Sequence, residues 1–296
     1  MNPVRDLTLL FTAAGISLAV HGADDRVVQV TQITQTAEAV AKHPAPVVED
    51  LGDIRPLADK PLLLKMRFTT SLRGEFVSNA KSIGNHGSGD FLLVPAINAA
   101  LDQPLGHGFA LSLNARAESF LYSRFNNFSF WGFSGMASVS YQPSENSPRI
   151  YAGIEPYWFA SVNSGRQLAE ALGISTGVEK EWAINRDQTI LFAGYNFSSF
   201  VSSPARDDRD SHRATVGITQ QILPSLLGQL YYSYQFSDYT SVARHDSRNL
   251  VGLSLVYQFN EHWSGNATTY FVDNNSSMSL ASYQTFGIGL GLALHF

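Results

Sequence analysis

From Leu63 onward, apolar and polar side chains alternate with period two, and the alternation runs to the last residue. In Tyr283–Phe296 one face carries Phe286, Ile288, Leu290, Leu292, Leu294 and Phe296. The other carries Tyr283, Thr285, Gly287, Gly289, Gly291, Ala293 and His295. The stretches around Ser254 and Gln258, around Gln229, Ser233 and Gln235, and around Ser112 and Asn114 repeat the pattern. Period two sends successive side chains to opposite faces of a strand. Such segments begin near residues 64, 90, 108, 129, 149, 171, 188, 212, 227, 248, 262 and 282. Their spacing of ~19 residues fits tilted membrane strands of ~10 residues with extensions. The pattern predicts an all-β fold, an antiparallel transmembrane β-barrel of about 12 strands, over residues 63–296. An even strand number puts both barrel ends on one side.

The connections agree with that registration. Asp102–Gly106, Gln142–Ser147, Asn185–Gln188, Leu223–Leu226 and Asn260–His262 are short and rich in Pro, Asn or Asp. The alternate set is mostly longer: Lys81–Asp90, Asn163–Gln167, Ser203–His212, Arg244–Arg248 and Asn274–Ser282, with Tyr122–Asn127 the brief exception. Short periplasmic turns and longer outer loops are the asymmetry of outer-membrane barrels. Aromatic residues mark two girdles: Tyr141, Trp182, Phe259, Trp263 and Phe296 on the inner side, Trp131, Trp158, Phe200 and Phe271 on the outer.

The N-terminal part differs. Residues 1–22 read as a signal peptide, with an apolar run from Leu7 to Val20 that is too short to span a bilayer. Residues 23–62 contain no Phe, Trp or Tyr, and Val27, Val30, Ile33, Ala37 and Val40 recur at helical spacing. This predicts a short helical and linker extension, a periplasmic segment or a pore plug. The plug has an expected seat: the column Gly287, Gly289 and Gly291, because glycine inside a strand marks the close approach of another backbone.

Composition narrows the class. The chain of 296 residues is 44% hydrophobic but only 15% charged, against roughly 25% charged for an average globular domain. It has no Cys, which excludes disulfides and thiolate metal sites. A net charge of −5 leaves no basic footprint for nucleic acid. A soluble barrel or sandwich shows the same alternation with its faces inverted. The signal, the aromatic strand ends and the terminal Phe296 select the membrane form.

The amphipathic last strand ending in Phe296 resembles the assembly signal of Gram-negative outer-membrane barrels. That resemblance implies insertion by the barrel assembly machinery, with outer-membrane lipids and lipopolysaccharide as neighbours. Ser237-Asp238-Tyr239, Arg244, Asp246, Gly252–Leu255 and Tyr257–Asn260 through Trp263 are similar to porin-like barrel domains. This implies an outer-membrane channel and names no solute.

Turning the apolar faces outward puts Lys65, Arg67, Arg73 and Glu75 of the first strand inside the barrel. Arg116 and Glu118 follow from the third strand, Glu155 from the fifth, and Glu179 and Glu181 from the sixth. A lipid-facing Arg or Lys costs roughly 2–4 kcal/mol at mid-bilayer, so an inward placement is expected. These charges predict either a pore lining with a transverse field, for passive passage of small polar solutes or polymer export, or a salt-bridged filling of a purely structural barrel. A different class is offered by His86-Gly87-Ser88, which resembles the His-x-Ser pair of outer-membrane phospholipases and lipid A deacylases. Asp90 would orient the His in such an acyl hydrolase. Arg206–Asp210, Arg213, Arg244–Asp246 and Arg248 read as a charged outer rim that would meet lipopolysaccharide phosphates or pair internally. No zinc-type spacing, phosphate loop or dinucleotide fingerprint is present, so neither metal nor cofactor is expected.

Overall fold

A computed structural model describes residues 65–82, 87–144, 146–184 and 189–296. The expected signal peptide and the 23–62 extension lie outside the described residues. Twelve strands occur among the described residues. They are β1 (Lys65–Val77), β2 (Asp90–Gly106), β3 (Phe109–Tyr122), β4 (Phe130–Tyr141), β5 (Arg149–Ser161) and β6 (Gln167–Ile184). The chain continues with β7 (Thr189–Ser203), β8 (Arg209–Leu223), β9 (Leu226–Tyr239), β10 (Arg244–Gln258), β11 (Trp263–Ser276) and β12 (Tyr283–His295). Each pairs antiparallel with its neighbours in sequence, and β1 pairs with β12 to close the barrel. Closure leaves no unpaired edge, which a bilayer requires.

Alternation decides which face meets lipid. The large apolar side chains at Ile174, Val201, Leu290 and Phe296 all point outward and are exposed. Trp131, Trp158, Trp182 and Trp263 do likewise near strand ends. Phe200 departs from its expected place in the outer girdle. It is buried, because it shares inward parity with its cross-strand partners Gly173 and Arg209.

The strand ends flanking the short connections β2–β3, β4–β5, β6–β7, β8–β9 and β10–β11 lie on the same side as the start of β1 and the finish of β12. By the short-turn rule this is the end expected to face the periplasm, and it is called the periplasmic end below. In the tightest turn His107 and Gly108 both have positive φ, the primed geometry whose twist suits a two-residue hairpin. A side chain at Gly108 would meet the carbonyl oxygen of Gln142. At the outer end several strands run further than the sequence indicates. β8 begins at Arg209 and β10 at Arg244, so stretches expected as loops are paired wall.

Inward glycines follow a rule. Phe192, Gly217, Tyr231, Gly252, Tyr270 and Gly287 are consecutive cross-strand partners from β7 to β12. Each ring lies over the following glycine, where an added Cβ would collide with it. Tyr151 of β5 covers Gly177 of β6 in the same way. A glycine that weakens a strand is compensated when a neighbouring ring shields its backbone.

Candidate functional site

The site is the barrel interior, and its two walls differ. On the β1–β5 side, toward the outer end, Val77, Leu92, Phe120, Phe130 and Phe159 form a buried apolar cluster. Phe120 and Phe130 stack with centroids 4.4 Å apart. Below this cluster the charges come in pairs on one strand. Side chains at i and i+2 share a face, so Arg73 meets Glu75 at 3.1 Å and Arg116 meets Glu118 at 2.9 Å, all four residues buried. Tyr270 donates to Glu75, and the Tyr157 hydroxyl donates to Glu155 at 2.8 Å. Toward the periplasmic end Arg67 pairs with Asp102, and Arg149 with Glu179. Glu181 lies two residues beyond Glu179, and Lys65 opens β1 opposite Asp102.

The nine charged residues assigned to the lumen by sequence are thus on the strands expected, with most of the carboxylates held locally. The basic first strand does not simply face acids across the barrel, because Arg73 and Arg116 each have an acid two residues away.

The β8–β10 wall carries what the sequence assigned to the rim. Arg209, Arg213, Arg244, Asp246 and Arg248 have inward parity, with Ser211, Gln235, Ser237 and Tyr239 between them. Arg244 binds Asp246 through Nε at 2.9 Å and lies over the Tyr239 ring at 4.3 Å. Arg213 and Arg248 both donate to the Gln235 Oε1, at 3.2 and 2.6 Å. The signal was present in the sequence: Arg209-x-Ser-x-Arg213 and Arg244-x-Asp-x-Arg248 have the period of a strand face.

A file of small polar residues crosses the interior obliquely. It runs through the cross-strand partners Asp102, Ser112, Ser138, Gly153, Ser175, Ser198, Ser211, Ser237, Asp246 and Ser276. Asp102 lies near the periplasmic end of β2, and Ser276 ends β11 on the outer side. Cross-strand rows climb in this way because barrel strands tilt against the axis. Ser112 donates to Asp102 at 2.7 Å, and Ser211 and Ser237 bond at 2.9 Å.

The glycine column proposed as a plug seat is covered from within the wall. Tyr270 overlies Gly287, Asn266 overlies Gly291, and Thr268 and Glu75 flank Gly289. The expected occupant of the column lies outside the described residues. Of the His-x-Ser pair, His86 is also outside them. Ser88 is exposed, and its carbonyl accepts from the Ala80 amide at 3.1 Å. Asp90 is buried and its carboxylate accepts from the backbone N–H groups of Phe91, Arg124 and Phe125 at 2.8–3.1 Å. Its oxygens fasten the 123–129 loop to β2, an engagement that competes with orienting a histidine. Among the described residues no cluster of His, Asp and Glu has metal-site geometry.

Residues 163–296 match the family model described as "Putative beta-barrel porin 2". No curated protein matches the chain. Among solved structures the fold is similar to an outer-membrane channel from Pseudomonas putida F1, with a TM-score of 0.55 and 10% identity over 83% of this chain and 99% of that one. The outer-membrane channel DcaP of Acinetobacter baumannii aligns with a TM-score of 0.44 and 11% identity, over 79% of this chain and 97% of that one. The translocator domain of autotransporter NalP from Neisseria meningitidis aligns with a TM-score of 0.46 and 10% identity, over 92% and 98%. The described residues thus form a closed twelve-stranded β-barrel with an apolar exterior, similar in fold to an outer-membrane channel, and the later strands match a porin family model.

Proposed function

We propose that the barrel is a channel for passive passage of small polar solutes, without an enzymatic role. The observation that carries this reading is the polar file from Asp102 to Ser276, which offers short hydroxyl side chains from one end of the wall to the other. A wall built only for stability gains more from packed apolar side chains than from buried hydroxyls that need partners. The Ser175 hydroxyl is buried without a hydrogen-bond partner, as expected where solvent or solute supplies one.

Planar-bilayer recording of the purified full-length protein tests this. Discrete conductance steps are expected, and Ser198→Trp, which narrows the file, lowers their size while leaving the folded band on a heat-modifiability gel. A folded barrel that passes no current overturns the channel. The second reading, a closed structural barrel, is favoured by the apolar cluster and the buried Arg–Glu pairs on the β1–β5 side. Acyl release from phospholipid that disappears in Ser88→Ala would instead support the hydrolase.

A further inference from the structure

We propose that the outward face at the outer ends of β8–β12 binds the sugar headgroup of a glycolipid. The inference rests on the apolar exterior meeting lipid and does not depend on passage through the barrel. On the β1–β4 side that exterior reaches the strand ends, where Phe76, Phe91 and Trp131 are exposed. On β8–β12 it stops earlier, at the cross-strand row Val216, Tyr232, Val251, Phe271 and Phe286. Three rows of the same outward parity stand above it. Ala214, Tyr234, Asn249, Asp273 and Gln284 form the first, His212, Phe236, Ser247 and Asn275 the second, and Asp210, Asp238 and His245 the third. Rows two residues apart lie roughly 7 Å apart along a strand, so at a tilt of ~40° the climb from first to third is on the order of 10 Å. A phospholipid headgroup layer is only about 5–8 Å thick on each side of a bilayer. A polar skirt of this height, continuous with the lipid face, suits a thicker sugar headgroup.

The chemistry of these rows selects sugar over phosphate. Neither Lys nor Arg stands on them, because Arg209, Arg213, Arg244 and Arg248 take the opposite parity and point inward. The expected contact of rim arginines with lipopolysaccharide phosphates therefore finds no guanidinium on this outer face. Asp210 and Asp238 are direct cross-strand partners, like charges whose juxtaposition is destabilising. His245 pairs with Asp238 at 2.9 Å, whereas the Asp210 carboxylate has no hydrogen-bond or ion-pair partner among the described residues. Carboxylates only accept, and sugar hydroxyls donate. The planar side chains of the first row are already held in place. Gln284 and Asn275 both donate to Asp273 at 3.0 Å, and the Tyr232 hydroxyl donates to the Asn249 Oδ1 at 2.7 Å. Fixed amide and carboxylate planes match neighbouring hydroxyls on a sugar ring and lose little freedom on binding. The exposed Phe236 ring, within 10° of parallel to His245, offers an apolar face to the C–H side of such a ring.

The test uses the full chain in detergent with three probes: lipopolysaccharide carrying its core sugars, lipid A without them, and phosphatidylglycerol. Native mass spectrometry reads which lipid is retained. The core-bearing form is expected to bind about tenfold more tightly than lipid A, and free core oligosaccharide to displace it. Asn249→Ala with Asp273→Ala removes that advantage, leaving lipid A binding and the folded band on a heat-modifiability gel unchanged. If the double variant fails to fold, Phe236→Ala, which deletes only an exposed ring, is held to the same loss. Chelating divalent ions with EDTA leaves the advantage of the core-bearing form in place. Its disappearance there would assign the contact to cation-bridged phosphate and overturn the proposal. Equal retention of lipid A and the core-bearing form, or retention of neither, overturns it as well. So does a dimer that dissociates in Phe236→Ala, which would give this face to a second copy of the chain.

Discussion

A ring over a glycine is the recurring residue-scale device of this wall. Because the ring of Tyr231 occupies the space above Gly252, any side chain added at Gly252 must displace it or bend the strand. Gly252→Val is therefore expected to cost about 1–3 kcal/mol, the usual range for overpacking. Tyr231→Ala leaves the same glycine uncovered. Both variants should lower the temperature at which the folded band is lost on a heat-modifiability gel, and an unchanged midpoint for Gly252→Val would show that the ring is not held there. Asp90 is a second residue whose role is local. Its buried carboxylate serves three backbone donors, so Asp90→Ala strands those N–H groups. The 123–129 loop should then become more susceptible to protease, with the barrel still formed.

Strands are the scale at which the lipid face can be tested. Ile174 lies mid-way along β6 and is 66% exposed on the outer surface. Ile174→Arg should cost roughly 2–4 kcal/mol in a bilayer. The readout is urea-induced unfolding in lipid vesicles, and an unshifted midpoint would mean that this face does not meet lipid. Period two made nearly every strand legible in the sequence, since the outward runs in β12 and β9 tolerate only one parity. Strand ends at the outer side were less legible. Arg209 and Arg244 look like loop residues when charge is read as solvation, yet each sits on the inward face of a wall whose centre is polar. Their pairing partners, and the burial of Phe200, depend on register between strands, which no single segment encodes. The Arg73–Glu75 and Arg116–Glu118 contacts were nearer the surface of the sequence, being two residues apart.

The described residues form a closed barrel with unlike walls, apolar and charge-paired on the β1–β5 side and rich in guanidinium groups on the β8–β10 side. Its electrical behaviour should depend on salt accordingly. The Debye length is about 10 Å at 0.1 M and 3 Å at 1 M, so an ion preference set by these wall charges should be larger in dilute than in molar KCl gradients. A preference unchanged over that range would point to size rather than charge. The ring-and-glycine pairs have a further meaning for how such a cylinder is counted. Tyr151 with Gly177, Phe192 with Gly217, Tyr231 with Gly252, and Tyr270 with Gly287 each join the two strands of one outer hairpin, the ring always on the first strand. A slip of one residue in either strand would turn its member to the opposite face and part the ring from its glycine. Every one of these four hairpins thus carries its own alignment mark, complete before its neighbours arrive. The hairpin, not the strand, becomes the piece that duplication can copy or deletion remove without misaligning what remains.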